Sequence, residues 1–296
     1  MERQRKLVIV ADDYGLGPET SRAILELGQE GRVTATALLV NAPDAGRAVA
    51  AWRRNEYPME LGWHANLTLD APVLRPQSVP SLVRPDGRFW PLASLVRRLL
   101  LCQVNPRDIA AELAAQWQRF VDLVGSPPPL VNSHHHIALF PPVGRILIEL
   151  LRRQHPAPHF RRVREGVGSL HAIPGARLKR AALSLLGQRL ARRTSDAGFP
   201  GCDRFAGLSV PSCSRDPLFF VRWLLHTPGG SVELMCHPGY DDATLVGRDG
   251  QPGDGTIERR ARELQLLRGD SFAAAVRDAG FQLVAPTHRS PSRLAA

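Results

Sequence analysis

The sequence feature that most constrains the fold is a short apolar run that ends in two adjacent carboxylates. Residues 7–11 are Leu-Val-Ile-Val-Ala, and Asp12 and Asp13 follow directly. A β-branched run of this length, bounded by turn residues, is typical of a strand buried on both faces. In parallel α/β proteins the carboxyl ends of such strands carry ligands and catalytic residues. This stretch also fits a simpler interpretation, in which Asp12 or Asp13 caps the helix that begins at Pro18.

Strand and helix patterns then alternate along the chain. Helices are predicted at 18–30 and 42–54, with further strands at 34–40 and 59–67. This β, α, β, α, β order predicts a parallel sheet with right-handed crossovers. The pattern continues with helices at 92–102, 105–124, 141–153, 175–193, 216–225, 258–267 and 272–279, and with strands at 130–133, 160–163, 231–236 and 281–284. Since no repeat or linker divides the chain, we predict one α/β domain over residues 1–296, frayed from about 287.

The helix at 105–124 has the clearest local end signals. Asn105 is a good N-cap, Pro106 suits the first helical turn, and Gly125 suits the residue that ends a helix. These three residues predict the two ends of this helix.

Residues 70–91 interrupt the alternation with five prolines around Phe89 and Trp90. Loops of this length inside a compact domain are usually lids or substrate walls. We therefore predict Phe89, Trp90 and the strand residues Trp63 and Asn66 as substrate contacts. For the aromatic residues, packing is the simpler alternative.

Composition and charge exclude several classes of protein. No apolar stretch is long enough for a membrane span or a signal peptide, which favours a cytoplasmic protein. The four cysteines form no Cys-x-x-Cys pair, which favours reduced thiols. The net charge is +10, but among 38 cationic residues only Lys6 and Lys179 are lysine. The preference for arginine over lysine indicates the amino-acid composition of the source genome rather than selection for binding phosphate. We therefore predict no nucleic-acid partner. Contact of the basic helix 175–193 with a membrane surface stays open.

Ionisable residues follow four separate predicted strands. They are Asp12 and Asp13, His64, the run 134–136 of three histidines, and His237. Because the carboxyl ends of parallel strands meet at one edge, we expect these side chains to lie together. One carboxylate with two imidazoles is a common catalytic set for a divalent ion. An extended strand end would send the Asp12 and Asp13 side chains to different sides, which suits different roles.

Four ordered motifs resemble those of the YdjC-like carbohydrate deacetylases, which include chitooligosaccharide deacetylases and hopanoid-associated deacetylases. The motifs are residues 6–15, 62–68, 133–141 and 235–239. The resemblance extends from the first strand to about the closing one. It implies a distorted (β/α) barrel with mostly parallel strands, and metal-dependent removal of an N-acetyl group from an amino sugar or glycolipid.

The resemblance also implies a metal site. Asp13, His64 and His134 match the family's ligands, with His134 rather than its two neighbours as the third ligand. The implied cofactor is one divalent ion: two imidazoles favour Zn²⁺, whereas the resemblance favours Mg²⁺. One position departs from the family, which often has an acidic residue where this chain has Asn132. An asparagine can orient a neighbour by a hydrogen bond but adds no negative charge.

Two further residues match catalytic positions. Asp12 matches the family's general base, and His237 matches a late histidine that serves as a general acid or a substrate contact. A non-haem iron oxygenase shares this ligand set, but such enzymes typically have double-stranded β-helix folds, and the α/β order of this chain argues against one. A non-catalytic carbohydrate-binding protein would not need an unligated Asp12 beside Asp13. The particular sugar, the metal used in vivo and a homo-oligomeric state stay open.

Overall fold

Eight strands form the framework of this computed structural model, which describes residues 4–55, 59–249 and 254–287. The strands are β1 (Arg5–Tyr14), β2 (Ala35–Leu38), β3 (Glu60–Ala65), β4 (Leu130–Ser133), β5 (His159–Phe160), β6 (Arg204–Ala206), β7 (Ser231–Cys236) and β8 (Phe281–Leu283). They pair in the order β5-β4-β3-β2-β1-β7-β6, and β8 joins the start of β1. All of these pairings are parallel. The predicted first strand therefore lies inside the sheet.

Helices cover the outside of this sheet. Those described are α1 (Pro18–Gln29), α2 (Ala45–Arg54), α3 (Leu92–Leu100), α4 (Pro106–Val124), α5 (Pro141–Leu151), α6 (Val167–Ala172), α7 (Arg177–Asp196), α8 (Phe219–His226), α9 (Thr256–Arg268) and α10 (Asp270–Asp278). The ends of α4 are as predicted: the Asn105 side chain accepts the Arg107 N–H at 3.0 Å, and Gly125 has a left-handed φ of 81°. None of the described helices has the length and apolarity that a bilayer crossing requires.

The sheet curls so that its two ends approach each other. The Phe205 N–H of β6 donates to the Arg164 carbonyl just after β5 at 2.9 Å, and the Phe160 N–H of β5 donates to the Pro200 carbonyl at 2.8 Å. These two bonds join irregular backbone rather than a regular strand ladder. The fold is therefore a distorted (β/α) barrel, as the family resemblance implied.

Small and β-branched side chains fill part of the inside of the barrel. Val8 and Val10 of β1 pack there with Ala35 and Ala37 of β2 and with Leu130. The alternate residues Leu7, Ile9 and Ala11 belong to the larger core between sheet and helices. Since side chains alternate along a strand, Asp12 continues the inward series at the end of β1.

Most predicted elements are present, with shifted ends. The predicted strand 160–163 is β5 at His159–Phe160, and β6 and α6 were not predicted because so few residues give no periodic signal. The predicted loop 70–91 contains a 3₁₀ turn at Pro76–Ser78 and a bridge between Val83 and Phe89. Residues 288–296 of the predicted frayed terminus lie outside the described residues.

Candidate active site

Asp12 and Asp13 lie where the end of β1 is distorted. The pairing with β2 slips between Ala11 and Tyr14, and Asp13 has a left-handed backbone with φ of 67°. Aspartate adopts this region more readily than most residues with a side chain. The prediction that an extended strand end separates the two side chains is therefore wrong. Both carboxylates line the same cavity, and both are buried.

Asp13, His64 and His134 come together at this end of the barrel. Asp13 Oδ1 lies 3.2 Å from His64 Nε2 and 3.0 Å from His134 Nδ1, and the two nitrogens are 3.3 Å apart. Ligands about 2.1 Å from one ion are separated by about 3.0 Å in octahedral and about 3.4 Å in tetrahedral coordination. The three atoms therefore have the spacing of one face of a metal site. They form a group that could hold a metal ion.

Asn132 sets the orientation of His64. Its Nδ2 donates to Asp12 Oδ1 at 2.8 Å, so its Oδ1, which can only accept, faces His64 Nδ1 at 2.5 Å. The His64 proton consequently lies on Nδ1, and Nε2 presents its lone pair to Asp13 and His134. Asn132 thus orients a neighbour by a hydrogen bond, as predicted for an asparagine at this position, and adds no negative charge.

Arg260 of α9 holds the other oxygen of Asp13. Its Nη2 donates to Asp13 Oδ2 at 2.6 Å and also contacts Asp249. Burial raises the pKa of the Asp13 carboxyl, but Arg260 and the two histidines outweigh burial and hold this pKa well below its usual range. Burial likewise lowers the pKa of His134, but the Asp13 carboxylate outweighs it and the net pKa is raised. A metal ion would replace the proton that Asp13 and His134 otherwise share.

The other two histidines of the run also line the cavity, but their rings have other partners. His135 and His136 have left-handed φ angles of 51° and 54°, so the backbone turns sharply after His134. The His135 Nδ1 lies 3.0 Å from the Thr68 hydroxyl, and the His136 ring packs edge-on against Phe205. Burial lowers the pKa of both rings well below the usual value. His134 is thus the member of the run that meets Asp13 and His64.

A buried chain of charges extends from Asp12 into the barrel. Arg161 binds both Asp12 oxygens, with Nη1 2.5 Å from Oδ2 and Nη2 2.8 Å from Oδ1. Its Nε donates to Glu233 at 2.5 Å, and Glu233 meets His159 at 3.1 Å. Burial raises the pKa of Glu233, but Arg161 and His159 outweigh burial and lower this pKa to about 2. Arg161 therefore fixes the Asp12 carboxylate and pairs its single positive charge with two buried carboxylates.

His237 follows β7 on the other side of Asp12. Its Nε2 lies 4.0 Å from Asp12 Oδ2, and its Nδ1 lies 3.1 Å from Arg259 Nη2. Its side chain is 20% exposed, whereas the side chains of Asp12 and Asp13 are 2% exposed. Burial and the Arg259 guanidinium lower the pKa of His237 well below the usual value. His237 is thus the more accessible group of the cluster.

A cavity of about 360 Å³ opens onto these groups. This volume is within the range of small-molecule binding sites. Its wall includes apolar residues from several elements, and its charged members are Asp12, Asp13, Asp249, Lys179, Arg259 and Arg260. Its buried members Asp12, Asp13 and Arg260 combine both signs of charge, and their electrostatic interactions are stronger than in water.

The four predicted substrate contacts do not line this cavity, which corrects their predicted role. Trp63 is fully buried and packs edge-on against Trp117, because it alternates with the inward-facing His64 along β3. Asn66 is also fully buried and stabilises the turn after β3 by accepting the Thr68 N–H at 2.9 Å. Phe89 is buried in the core. Trp90 packs against that core under the Arg98 guanidinium. The simpler interpretation, packing, is correct for the aromatic residues.

Sequence reasoning missed the arginines of the site. Arg161 had one available signal, since a charged residue in a predicted buried strand needs a partner. Arg259 and Arg260 gave none, because a helix with several arginines usually presents them to solvent.

Comparisons with known proteins show what the chain is similar to. The sequence model of the family described as YdjC-like protein matches residues 6–278. The chain is 32% identical over 286 residues to a chitooligosaccharide deacetylase from Klebsiella pneumoniae strain 342, covering 95% of this chain and 97% of the relative. It is 32% identical over 296 residues to a carbohydrate deacetylase from Mus musculus, covering 95% and 93%. A solved structure from Enterococcus faecalis V583, provisionally named a cellobiose-phosphate cleavage protein, has the same fold, with a TM-score of 0.76, 23% identity, and coverage of 96% and 98%.

Proposed function

The chain belongs to the YdjC-like protein family, and from this premise we propose that it is a carbohydrate deacetylase that hydrolyses the N-acetyl group of an amino sugar or glycolipid. The carbohydrate deacetylase names of the relatives from Klebsiella pneumoniae and Mus musculus support this activity. The observation that carries the proposal is the triangle of Asp13, His64 and His134 ligand atoms, 3.0 to 3.3 Å apart, with Asp12 beside it in one cavity.

The proposed cofactor is one divalent ion, Mg²⁺ or Zn²⁺, held by Asp13, His64 and His134. Such an ion supplies positive charge that polarises an amide carbonyl and makes a water molecule more acidic. The protein supplies the orientation: Asn132 holds the His64 ring and Arg260 holds Asp13 Oδ2, so that His64 Nε2 and Asp13 Oδ1 would be free to bind the ion. One carboxylate with two imidazoles leaves coordination positions open, as hydrolysis requires.

Asp12 is the proposed base. Arg161 and Asn132 together occupy Oδ1, whereas Oδ2 has Arg161 on one side and faces His237 on the other. Asp12 can therefore accept a proton at Oδ2 from a water molecule that attacks the acetamide carbon. His237, across the same space, is the proposed general acid or substrate contact.

Acetate release tests this proposal. The purified protein is incubated with N-acetylglucosamine oligomers and with glycolipids that carry an N-acetylated amino sugar, with Mg²⁺, with Zn²⁺ or with a chelator. We expect acetate from at least one class of substrate with a metal ion and none with the chelator. Absence of acetate with either ion across the whole panel would contradict the proposal, and oxygen consumption with iron would instead identify an oxygenase.

Other predictions accompany this proposal. One domain over residues 1–296, a cytoplasmic location and the absence of a nucleic-acid partner stay predictions. Size-exclusion chromatography with light scattering distinguishes a monomer from a homo-oligomer.

A further inference from the structure

The hydrogen bond between Arg259 and His237 fixes where the His237 proton lies. Arg259 Nη2 is 3.1 Å from His237 Nδ1. A guanidinium has donors and no acceptor, so Nδ1 must contribute its lone pair. The proton of the neutral imidazole therefore lies on Nε2, the nitrogen that faces Asp12 Oδ2 at 4.0 Å. In this form His237 can donate a hydrogen bond into the cavity but cannot accept a proton there.

Glu263 holds both partners of this bond in place. Its Oε1 accepts from Arg259 Nε at 2.5 Å, and its Oε2 accepts the backbone N–H of His237 at 2.6 Å. Glu263 is fully buried, and the Arg259 side chain is 13% exposed. One carboxylate thus fixes both the backbone of His237 and the guanidinium that faces its ring.

We propose that Arg259 is a positioning residue that holds His237 as a neutral imidazole with its proton on Nε2, so that His237 donates a hydrogen bond to the developing oxyanion while Asp12 carries the proton in both directions. The proposal rests on the proposed deacetylase function. His237 is then neither a general acid nor only a substrate contact, but an uncharged hydrogen-bond donor to the oxyanion.

The proton balance of the reaction favours these separate roles, with Asp12 transferring the proton and His237 donating a hydrogen bond. As the water oxygen bonds to the acetamide carbon, Asp12 takes a water proton and the carbonyl electron pair moves to oxygen. His237 Nε2–H donates a hydrogen bond to that oxygen. When the carbon–nitrogen bond breaks, Asp12 returns the proton to the departing nitrogen, which leaves acetic acid and a free amine. If a neutral His237 gave up its proton, an imidazolate would form, whereas Asp12 returns to its carboxylate.

The surroundings of His237 disfavour its charged form. A second proton would have to sit on Nδ1, directly against the Arg259 guanidinium. Burial and Arg259 lower the pKa of His237. The charged and titratable groups that face or hold His237 are Asp12, Asp13, His64, Arg259, Arg260 and Glu263. In a Ser-His-Asp triad the carboxylate beside Nδ1 stabilises the imidazolium, so the arginine here has the opposite effect.

The wild-type protein provides the first test, which needs no substrate and uses a variant only to assign the His237 signals. Nitrogen-15 NMR of the histidine side chains, assigned with His237→Gln, reports which ring nitrogen carries the proton. We expect protonated Nε2 and unprotonated Nδ1 at neutral pH, with and without Mg²⁺. A proton on Nδ1, or an imidazolium, overturns the proposal. Because this readout does not involve acetate, it stands even if no N-acetylated sugar is a substrate.

Variants of Arg259 provide the second test. Arg259→Met removes the donor, Arg259→Lys retains a donor and a positive charge, and Arg262→Met on the same helix is the matched control. In Arg259→Met we expect both tautomers, a fall in kcat of about 10- to 100-fold with little change in KM, as for the loss of one hydrogen bond, and an acidic limb of the kcat profile displaced to higher pH. Arg259→Lys should recover part of kcat and the Nε2–H tautomer, and Arg262→Met should match wild type.

The tautomer and the kinetic readouts distinguish a folding defect from a failure of the proposal. If Arg259→Met does not fold, the wild-type tautomer and Arg259→Lys still decide the proposal. A folded Arg259→Met with wild-type kcat and an unchanged pH profile overturns it. If acetate is never released by wild type but the predicted tautomer is found, the deacetylase function fails and the positioning of His237 by Arg259 stands.

Discussion

Replacing Asp12 with asparagine tests the proposed base while keeping the shape of the side chain. The carboxylate accepts Arg161 Nη1 at 2.5 Å, Arg161 Nη2 at 2.8 Å and Asn132 Nδ2 at 2.8 Å. An amide oxygen placed at Oδ1 keeps the last two bonds, and the amide nitrogen then faces Nη1. We therefore expect the loss of one charge-assisted hydrogen bond, which costs about 2–3 kcal/mol. Since Glu233 still pairs with Arg161, the guanidinium does not become an unpaired buried charge.

The effect on turnover should be much larger than the effect on folding. An asparagine cannot take the water proton, so kcat should fall by about 10²- to 10⁴-fold. The metal should stay bound, because Asp12 is not among the three ligands. At about 2.1 cal/mol/K of unfolding entropy per residue, a loss of about 2–3 kcal/mol lowers the melting temperature of a chain of this size by roughly 3–5 °C. The variant should therefore be folded at room temperature.

Three measurements on the same sample check this prediction: acetate released per minute, metal bound per chain by mass spectrometry, and melting temperature by calorimetry. Asp13→Ala is the matched control, and it should lose both metal and activity. Wild-type turnover in Asp12→Asn would remove Asp12 from the mechanism. Metal loss in Asp12→Asn together with metal retention in Asp13→Ala would exchange the two roles.

Three further predictions follow from the site. His134→Ala should abolish metal binding and activity, whereas His135→Ala should keep metal stoichiometry near wild type by calorimetric titration; the reverse result would mean that the ligand is one residue further on. The pKa of Glu233 is lowered to about 2 in the folded protein, so its contribution to stability is present above its ordinary pKa of about 4.5 and is lost as pH falls toward about 2. Between about pH 5 and about pH 3, denaturant titrations should show that wild type loses about 2 kcal/mol more stability than Glu233→Gln. Equal losses would contradict the assignment. Deleting part of residues 76–85 should change KM and substrate preference but not the bound metal, and a folded variant without metal would show that this loop supports the ligands.

Local sequence patterns were sufficient to predict the first strand, most of the helices and the edge of the sheet at which the candidate site lies. The apolar run 7–11 identified β1, and Asn105 and Gly125 identified both ends of α4, because burial periodicity and helix capping depend on neighbouring residues. The motif register also distinguished His134 from the other histidines of its run, in agreement with its position beside Asp13.

The arginines and the orientation of side chains were decided by the tertiary structure. Arg161 meets Asp12 across 149 residues of sequence, and Arg260 meets Asp13 across 247. Such contacts exist only once the sheet has curled into a barrel and α9 has packed against its mouth, and no local pattern encodes them. The left-handed backbone of Asp13 and the outward direction of Trp63 have the same origin, since the whole barrel determines which side of a strand end faces the cavity.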